Sequence, residues 1–125
     1  MSRIPTYLVE DSPVIRDNLV ATLEELSGVQ VVATGEDETS AVKWLSQHKE
    51  RCQLVIIDIF LKSGSGLGVL REARKIDGAF VLVVLSNYAT ADMRRTCASL
   101  GADRVFDKSN QVDELLEFCA ELRNT

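Results

Sequence analysis

Leu54-Val55-Ile56-Ile57-Asp58 is a short apolar run that stops at a carboxylate, a residue that such a run does not need. Three more apolar runs in the chain also end on a polar or charged residue. They are Tyr7-Leu8-Val9 before Glu10-Asp11, Val81 to Leu85 before Ser86, and Val105-Phe106 before Asp107-Lys108. Continuous apolar runs of this length are typical of strands buried on both faces of a parallel sheet. If the four runs are parallel strands, their polar ends lie together along one edge of that sheet.

At that edge the carboxylates of Glu10, Asp11 and Asp58 would lie with the Ser86 hydroxyl and the Lys108 ammonium group. The carboxylates of Glu10, Asp11 and Asp58 repel one another and need a cation, and their hard oxygens suit Mg²⁺. A strand-end carboxylate beside a metal can attack phosphorus; the alternative is that Asp58 only caps the following turn. Lys108 and Ser86 can neutralise and hydrogen-bond phosphoryl oxygens, although either alone could be an ordinary surface or loop residue. Together these residues predict a site that handles a phosphoryl group.

The composition is typical of one soluble domain. The 125 residues are 46% hydrophobic and 26% charged, which allows a core without disulfides or structural metal. The net charge of −5 and the lack of a Lys/Arg-rich run argue against nucleic-acid binding. Cys52, Cys97 and Cys119 have no CxxC spacing, so we expect free thiols in a reducing compartment. No signal peptide or apolar run of membrane-spanning length is visible, and a cytoplasmic location is expected.

Strand and helix signals alternate five times along the chain. The predicted strands are 6–10, 29–34, 53–58, 79–85 and 104–107, and the predicted helices begin after Ser12, near Thr39, after Gly66, near Thr90 and near Asn110. This alternation predicts a doubly wound α/β fold, a five-stranded parallel sheet with five helices on its two faces. Strands two and five are interrupted or flanked by polar residues and are predicted edges, which favours the order 2-1-3-4-5. Ligands then bind between the ends of strands one and three.

Three other features receive plain structural interpretations. Gly64-Ser65-Gly66-Leu67-Gly68 lacks the spacing of a phosphate-binding loop and is interpreted as the turn into the third helix. Glu36-Asp37-Glu38 is interpreted as a solvated loop after strand two, without influence on metal binding. Trp44 is interpreted as a packing residue of the second helix.

The order of these strand-end residues resembles the receiver domain of bacterial two-component response regulators. The resemblance covers essentially the whole chain and rests on Glu10-Asp11, Asp58, Ser86 and Lys108. It implies a flavodoxin-like fold and a stand-alone, chemotaxis-type receiver spanning residues 1–125, without an output domain. It implies phosphoacceptor signalling rather than enzyme activity, with only autophosphorylation from small phosphodonors and autodephosphorylation expected.

The same resemblance implies a role for each matching residue. Asp58 would be the phosphoacceptor and Lys108 the cation that neutralises the phosphoryl group. The implied Mg²⁺ ligands are Glu10, Asp11, Asp58 and the backbone carbonyl of Phe60. Ser86 and Phe106 would form the switch, with Phe106 turning inward after Ser86 moves toward the phosphoryl group.

The chain departs from the common family pattern at three positions next to the site. Lys62 and Ser109 stand where the family often has proline, and Asn87 stands where the family usually has a small residue. We expect a trans peptide bond before Ser109, because a cis bond before a non-proline residue costs about 3 kcal/mol. None of the three departures removes a reacting group.

The implied phosphodonor is a histidine kinase or a histidine phosphotransfer protein. The implied output is a protein–protein contact, which includes homodimerisation through helix four, strand five and helix five; neither DNA nor membrane is an expected partner. Two alternatives remain open. A phosphatase of the haloacid dehalogenase type needs a second aspartate two residues after the nucleophile, where this chain has Phe60. A pseudo-receiver would bind partners without phosphorylation, which the complete set of reacting residues disfavours.

Overall fold

Five strands and five helices alternate along the chain in a computed structural model that describes residues 3–76 and 80–124. The strands are β1 (Ile4–Val9), β2 (Val29–Gly35), β3 (Leu54–Ile57), β4 (Val81–Ser86) and β5 (Arg104–Asp107). The helices are α1 (Pro13–Leu26), α2 (Glu38–Gln47), α3 (Gly66–Lys75), α4 (Ala91–Ser99) and α5 (Val112–Arg123). The strands are parallel and lie in the order β2-β1-β3-β4-β5, which confirms the predicted doubly wound fold.

Local sequence explains where α1 begins and ends. The Ser12 hydroxyl accepts a hydrogen bond from the Ile15 N–H at 3.4 Å, and Pro13 occupies the first helical position, where no N–H is needed. Gly28 follows the helix with a φ of 74°, a conformation that glycine adopts without strain. The predicted capping of this helix is therefore confirmed.

Several element ends differ from the prediction. The second helix is predicted to run to about Lys49, but it ends at Gln47, and the chain continues through a separate 3₁₀ turn at Lys49–Arg51. The fifth helix begins at Val112, because Gln111 closes a turn after β5: its N–H donates to the Asp107 carbonyl, and its side-chain Oε1 accepts from the Asp107 N–H, both at 2.8 Å. The predicted start of strand four, residue 79, lies outside the described residues.

Side chains of the sheet alternate between two apolar cores. Val55 and Ile57 face the helices α2, α3 and α4, whereas Leu54 and Ile56 face α1 and α5. This two-sided burial is why β3 reads as an uninterrupted apolar run. All three cysteines are buried and free, as predicted, and burial raises the pKa of the Cys119 thiol to about 11. Among residues 3–76 and 80–124, no helix is both long and apolar enough to cross a bilayer.

Side chains satisfy exposed backbone groups on both edge strands. Glu24 on α1 accepts a hydrogen bond from the Val31 N–H of β2 at 3.0 Å. On the other edge, Arg94 on α4 donates to the Val105 carbonyl of β5 at 2.8 Å. Because edge strands otherwise present unpaired groups for further pairing, these contacts cap the sheet at both ends.

Candidate functional site

The three predicted carboxylates lie together just beyond the carboxyl ends of β1 and β3. The Asp58 N–H donates to the Val9 carbonyl at 3.0 Å, which continues the pairing of the two strands into the site. One carboxylate oxygen each from Glu10, Asp11 and Asp58 falls within 4.8 Å of the others. Glu10 and Asp58 are buried and Asp11 is half-buried, so three hard oxygen donors converge on one partly enclosed place.

Lys108 reaches this cluster from the far edge of the sheet. Its backbone N–H donates to the Ser86 carbonyl at 2.9 Å, which fixes where the side chain starts. The ammonium Nζ then lies 2.8 Å from Glu10 Oε1 and 3.3 Å from Asp58 Oδ2. The lysine side chain is only 13% exposed, so the ion pairs form in surroundings that screen charge weakly. Lys108 is thus a largely buried member of the charged cluster and not a surface lysine.

One cation does not compensate the buried charge at Asp58. Burial raises the pKa of its carboxyl group, Lys108 lowers it by attraction and hydrogen bonding, and the nearby Glu10 carboxylate raises it again. The net direction is upward from the ordinary value, so ionisation of Asp58 is less favourable than that of a solvent-exposed aspartate. A bound divalent cation would reverse this imbalance.

The loop after β3 is fastened to the cluster by backbone donors. The Lys62 N–H donates to Asp11 Oδ2 at 2.6 Å, and the Phe60 N–H approaches Asp58 Oδ1 at 3.4 Å. Proline at position 62 would have no N–H to donate, so the departure at Lys62 adds a contact to a predicted metal ligand. The exposed ring of Phe60 lies edge-on to that of Tyr88, with ring centroids 4.9 Å apart. Sequence analysis did not anticipate this aromatic pair beside the site.

Ser86 is fully buried at the end of β4. Its hydroxyl oxygen accepts a hydrogen bond from the Tyr88 N–H at 3.1 Å, and a hydroxyl can still donate its own proton. The two remaining departures contact each other at the rim, because Ser109 Oγ donates to Asn87 Oδ1 at 3.3 Å. No peptide bond in the described part of the chain is cis, in agreement with the expectation for Ser109.

Phe106 is already buried in this conformation. Its side chain is 7% exposed and packs near Phe118, with ring centroids 6.0 Å apart. The predicted turn of this ring from solvent to interior is therefore not available from this conformation, and any switching of Phe106 would be a repacking of a buried ring.

Arg94 connects three segments next to Phe106, and sequence analysis missed it. Its guanidinium donates to the Ala89 carbonyl at 3.0 Å, to the Val105 carbonyl at 2.8 Å and to Gln111 Oε1 at 2.7 Å. These bonds hold the β4–α4 loop, β5 and the start of α5 together. In the sequence Arg94 is one of two adjacent arginines, Arg94-Arg95, and such a pair does not indicate which helix face each residue occupies.

Comparison with known proteins gives the same family as the resemblance seen in the sequence. The model of the response regulator receiver domain family matches residues 6–120. Among curated proteins, the chain is 28% identical over 90 residues to the transcriptional regulatory protein CitB of Klebsiella pneumoniae, covering 70% of this chain and 38% of that protein. It is 30% identical over 67 residues to sporulation initiation phosphotransferase F of Bacillus subtilis, covering 54% of each. The chain thus spans about half, or less, of the length of these relatives.

Solved structures share the fold at low sequence identity. The response regulator domain of Thermotoga maritima CheB has a TM-score of 0.84 at 19% identity, with 98% of each chain covered. The Borrelia burgdorferi CheX–CheY–BeF3–Mg²⁺ complex contains a chain with a TM-score of 0.85 at 18% identity, covering 98% of this chain and 90% of that one. The family match over residues 6–120, on this fold, shows that the chain belongs to the response regulator receiver domain family.

Proposed function

We propose that this domain accepts a phosphoryl group on Asp58 and passes the signal on through protein–protein contacts. The supporting observation is the convergence of three carboxylates within 4.8 Å, with Lys108 bonded to two of them. Such an arrangement is suited to holding a divalent cation and a phosphoryl group side by side. The proposed donors are the phosphohistidine of a histidine kinase or of a histidine phosphotransfer protein.

The metal fits the donor set. Glu10, Asp11, Asp58 and the backbone carbonyl of Phe60 would hold Mg²⁺, which would offset the charge that develops on the phosphoryl oxygens. The raised pKa of Asp58 supports this, because a carboxylate cluster with too little positive charge favours binding of a cation.

An oxygen of Asp58 would attack phosphorus in line with the leaving nitrogen. The new P–O bond forms as the P–N bond of phosphohistidine breaks, and the departing imidazole keeps the electron pair. Lys108 is held within reach of Asp58 Oδ2 and would follow the negative charge as it spreads over the phosphoryl oxygens. Hydrolysis of the acyl phosphate by water would later reset the domain.

Ser86 is the proposed sensor of the phosphoryl group. Its hydroxyl lies at the end of β4, buried and bonded to the Tyr88 N–H. A hydrogen bond donated by this hydroxyl to a phosphoryl oxygen would move the β4–α4 loop and lead to repacking of Phe106 on β5. The proposed output surface is the face formed by α4, β5 and α5, where a partner protein or a second copy of the chain would bind.

Incubation with acetyl phosphate and Mg²⁺ tests the acceptor by intact mass. Wild-type protein should gain one phosphoryl group, and Asp58→Asn should gain none while keeping its circular dichroism spectrum. Equal phosphorylation of wild type and Asp58→Asn would refute the assignment.

Amide chemical shifts on addition of beryllofluoride and Mg²⁺ test the switch. Wild-type shifts should extend from Asp58 into residues 90–115, whereas Ser86→Ala should bind the phosphoryl analogue but restrict the shifts to the site. If wild-type shifts never reach residues 90–115, the proposed output route is wrong.

A further inference from the structure

Glu38 contacts the phosphoacceptor loop from the neighbouring helix. Asp37, the preceding residue, caps α2 by accepting from the Ser40 N–H at 2.8 Å, and burial of Glu38 is intermediate. The Glu38 N–H donates to the Ser63 carbonyl at 3.3 Å, and its Oε1 accepts from the Ser65 N–H at 2.8 Å. The interpretation of Glu36-Asp37-Glu38 as a solvated loop is therefore wrong for its last residue.

The glycines of Gly64-Ser65-Gly66-Leu67-Gly68 make this contact sterically possible. A Cβ at Gly64 would overlap the Glu38 Cβ, and a Cβ at Gly68 would overlap the Glu38 carboxyl group. A Cβ at Gly66 would instead overlap the backbone carbonyl of Asp58. Gly64 and Gly68 thus form a cleft that seats the Glu38 side chain against the start of α3.

The hydrogen bond from the Ser65 N–H to Glu38 acts on the same loop that carries Phe60 and Lys62. Ser65 pairs with Phe60 in an isolated antiparallel bridge, and the Gly66 N–H donates to the Ile59 carbonyl at 2.9 Å. Lys62, between the paired residues, donates its N–H to Asp11 Oδ2. A residue that fixes Ser65 therefore also restrains the backbone that presents the Phe60 carbonyl and the Lys62 amide.

We propose that Glu38 is a positioning residue for the phosphoacceptor site: it fixes the loop of residues 59–65 so that Phe60 and Lys62 hold the geometry needed for Mg²⁺. This inference rests on the proposed function, since it assigns the metal to that site. Partners that orient metal ligands without touching the metal commonly change affinity by 10- to 100-fold, so loss of Glu38 should weaken Mg²⁺ binding by about tenfold.

Calorimetric titration of Mg²⁺ tests the proposal in three variants. Glu38→Ala should lose about tenfold in affinity, Glu38→Gln should stay close to wild type because its amide oxygen still accepts from Ser65, and Glu36→Ala is the control. Glu36 is an exposed neighbour in the same acidic segment, and its ion pair among the described residues is with Arg16 on the surface, so its loss should leave Mg²⁺ binding unchanged. Unchanged affinity in Glu38→Ala would overturn the inference.

Gly68→Ala separates a positioning role from a merely structural one. The added methyl group displaces the end of a flexible side chain, and alanine is the better helix former, so the thermal midpoint should hold or rise while Mg²⁺ affinity falls. In the Glu38→Ala background the same change should have no further effect on affinity. If Glu38→Ala does not fold, Gly68→Ala decides alone, and full Mg²⁺ affinity in this variant overturns the inference.

Amide hydrogen exchange in metal-free protein provides a readout that does not depend on the metal. The Lys62 amide should exchange faster in Glu38→Ala and in Gly68→Ala than in wild type, and at the wild-type rate in Glu36→Ala. Wild-type protein that binds no Mg²⁺ would refute the proposed function, and the exchange data would then decide the role of Glu38 by themselves. Unchanged exchange of the Lys62 amide in both Glu38→Ala and Gly68→Ala would overturn the proposed positioning role of Glu38.

Discussion

Replacing Lys108 with methionine should destabilise the metal-free protein by about 3–5 kcal/mol, the usual cost of removing one partner of a buried ion pair. The ammonium group lies 2.8 Å from Glu10 Oε1 and 3.3 Å from Asp58 Oδ2. At an effective dielectric constant of ~20, Coulomb attraction at these distances is ~6 and ~5 kcal/mol before the cost of desolvation. Methionine keeps the apolar stem but leaves two buried carboxylates facing each other without a cation.

Urea unfolding followed by circular dichroism measures this effect in EDTA and in Mg²⁺. The difference in free energy of unfolding between wild type and Lys108→Met should be smaller in Mg²⁺ than in EDTA. The metal stabilises the folded state of both proteins, and it should bind the variant, whose carboxylates lack the lysine, more tightly than the wild type. This difference should also shrink in acid as Asp58 becomes protonated. For Asp58 this begins above the ordinary aspartate range, since burial raises its pKa in the folded protein.

Lys75→Met is the matched control. Lys75 is exposed on α3 and pairs with Glu72 at 3.2 Å on the surface, so its replacement should change the free energy of unfolding by less than about 0.5 kcal/mol. If Lys108→Met is as stable as this control in EDTA, the electrostatic account of the site is wrong.

Three further predictions concern other parts of the molecule. Burial raises the pKa of Tyr7 to about 12 and of Cys119 to about 11, so the unfolded chain loses these protons first; stability should fall by up to about 1.4 kcal/mol per pH unit for Cys119 between about pH 9 and 11, and for Tyr7 between about pH 10 and 12. Tyr7→Phe should lessen the part of this loss above about pH 10 in urea titrations, and an equal loss would refute the assignment. Arg94→Ala should cost about 2–3 kcal/mol and speed amide exchange in the β4–α4 loop, whereas unchanged urea unfolding would show that its three hydrogen bonds contribute nothing. These 125 residues, with a net charge of −5, should give no salt-sensitive mobility shift of short DNA duplexes, and such a shift would contradict the proposed output through protein contacts.

The strand ends could be predicted because local pattern determines them. Continuous apolar runs specify buried strands, a parallel sheet aligns their carboxyl ends, and the order of edge strands follows from where polar residues interrupt them. The sequence therefore predicts that the carboxylates of Glu10, Asp11 and Asp58 meet, and in the structure they do. Lys108 can contact Glu10 because both residues follow strands that end at the same edge of the sheet.

The contacts between helices and loops could not be predicted, because they depend on side-chain directions that periodicity does not determine. Arg94 lies on a helix face set by the packing of α4 against β5, and the pattern of α4 alone does not show which carbonyls it meets. The contact of Glu38 with the glycine-rich loop is partly visible in the sequence. Glycines spaced at 64, 66 and 68 indicate a close approach by other atoms, but not which residue approaches. The burial of Phe106 could not be predicted either, since it depends on the rotamer of the side chain and on packing against the neighbouring α5.

Locating the phosphoryl group on a single residue tests the central claim most directly. Protein incubated with acetyl phosphate and Mg²⁺ is treated with borohydride, which reduces an aspartyl phosphate to homoserine, and its peptides are then sequenced by mass spectrometry. The account predicts homoserine at position 58 in the wild type, no homoserine at Asp11, no reduced glutamate (2-amino-5-hydroxypentanoic acid) at Glu10, and no reduced residue anywhere in Asp58→Asn. Homoserine at another position, or a wild-type protein that takes up no phosphoryl group, would contradict it.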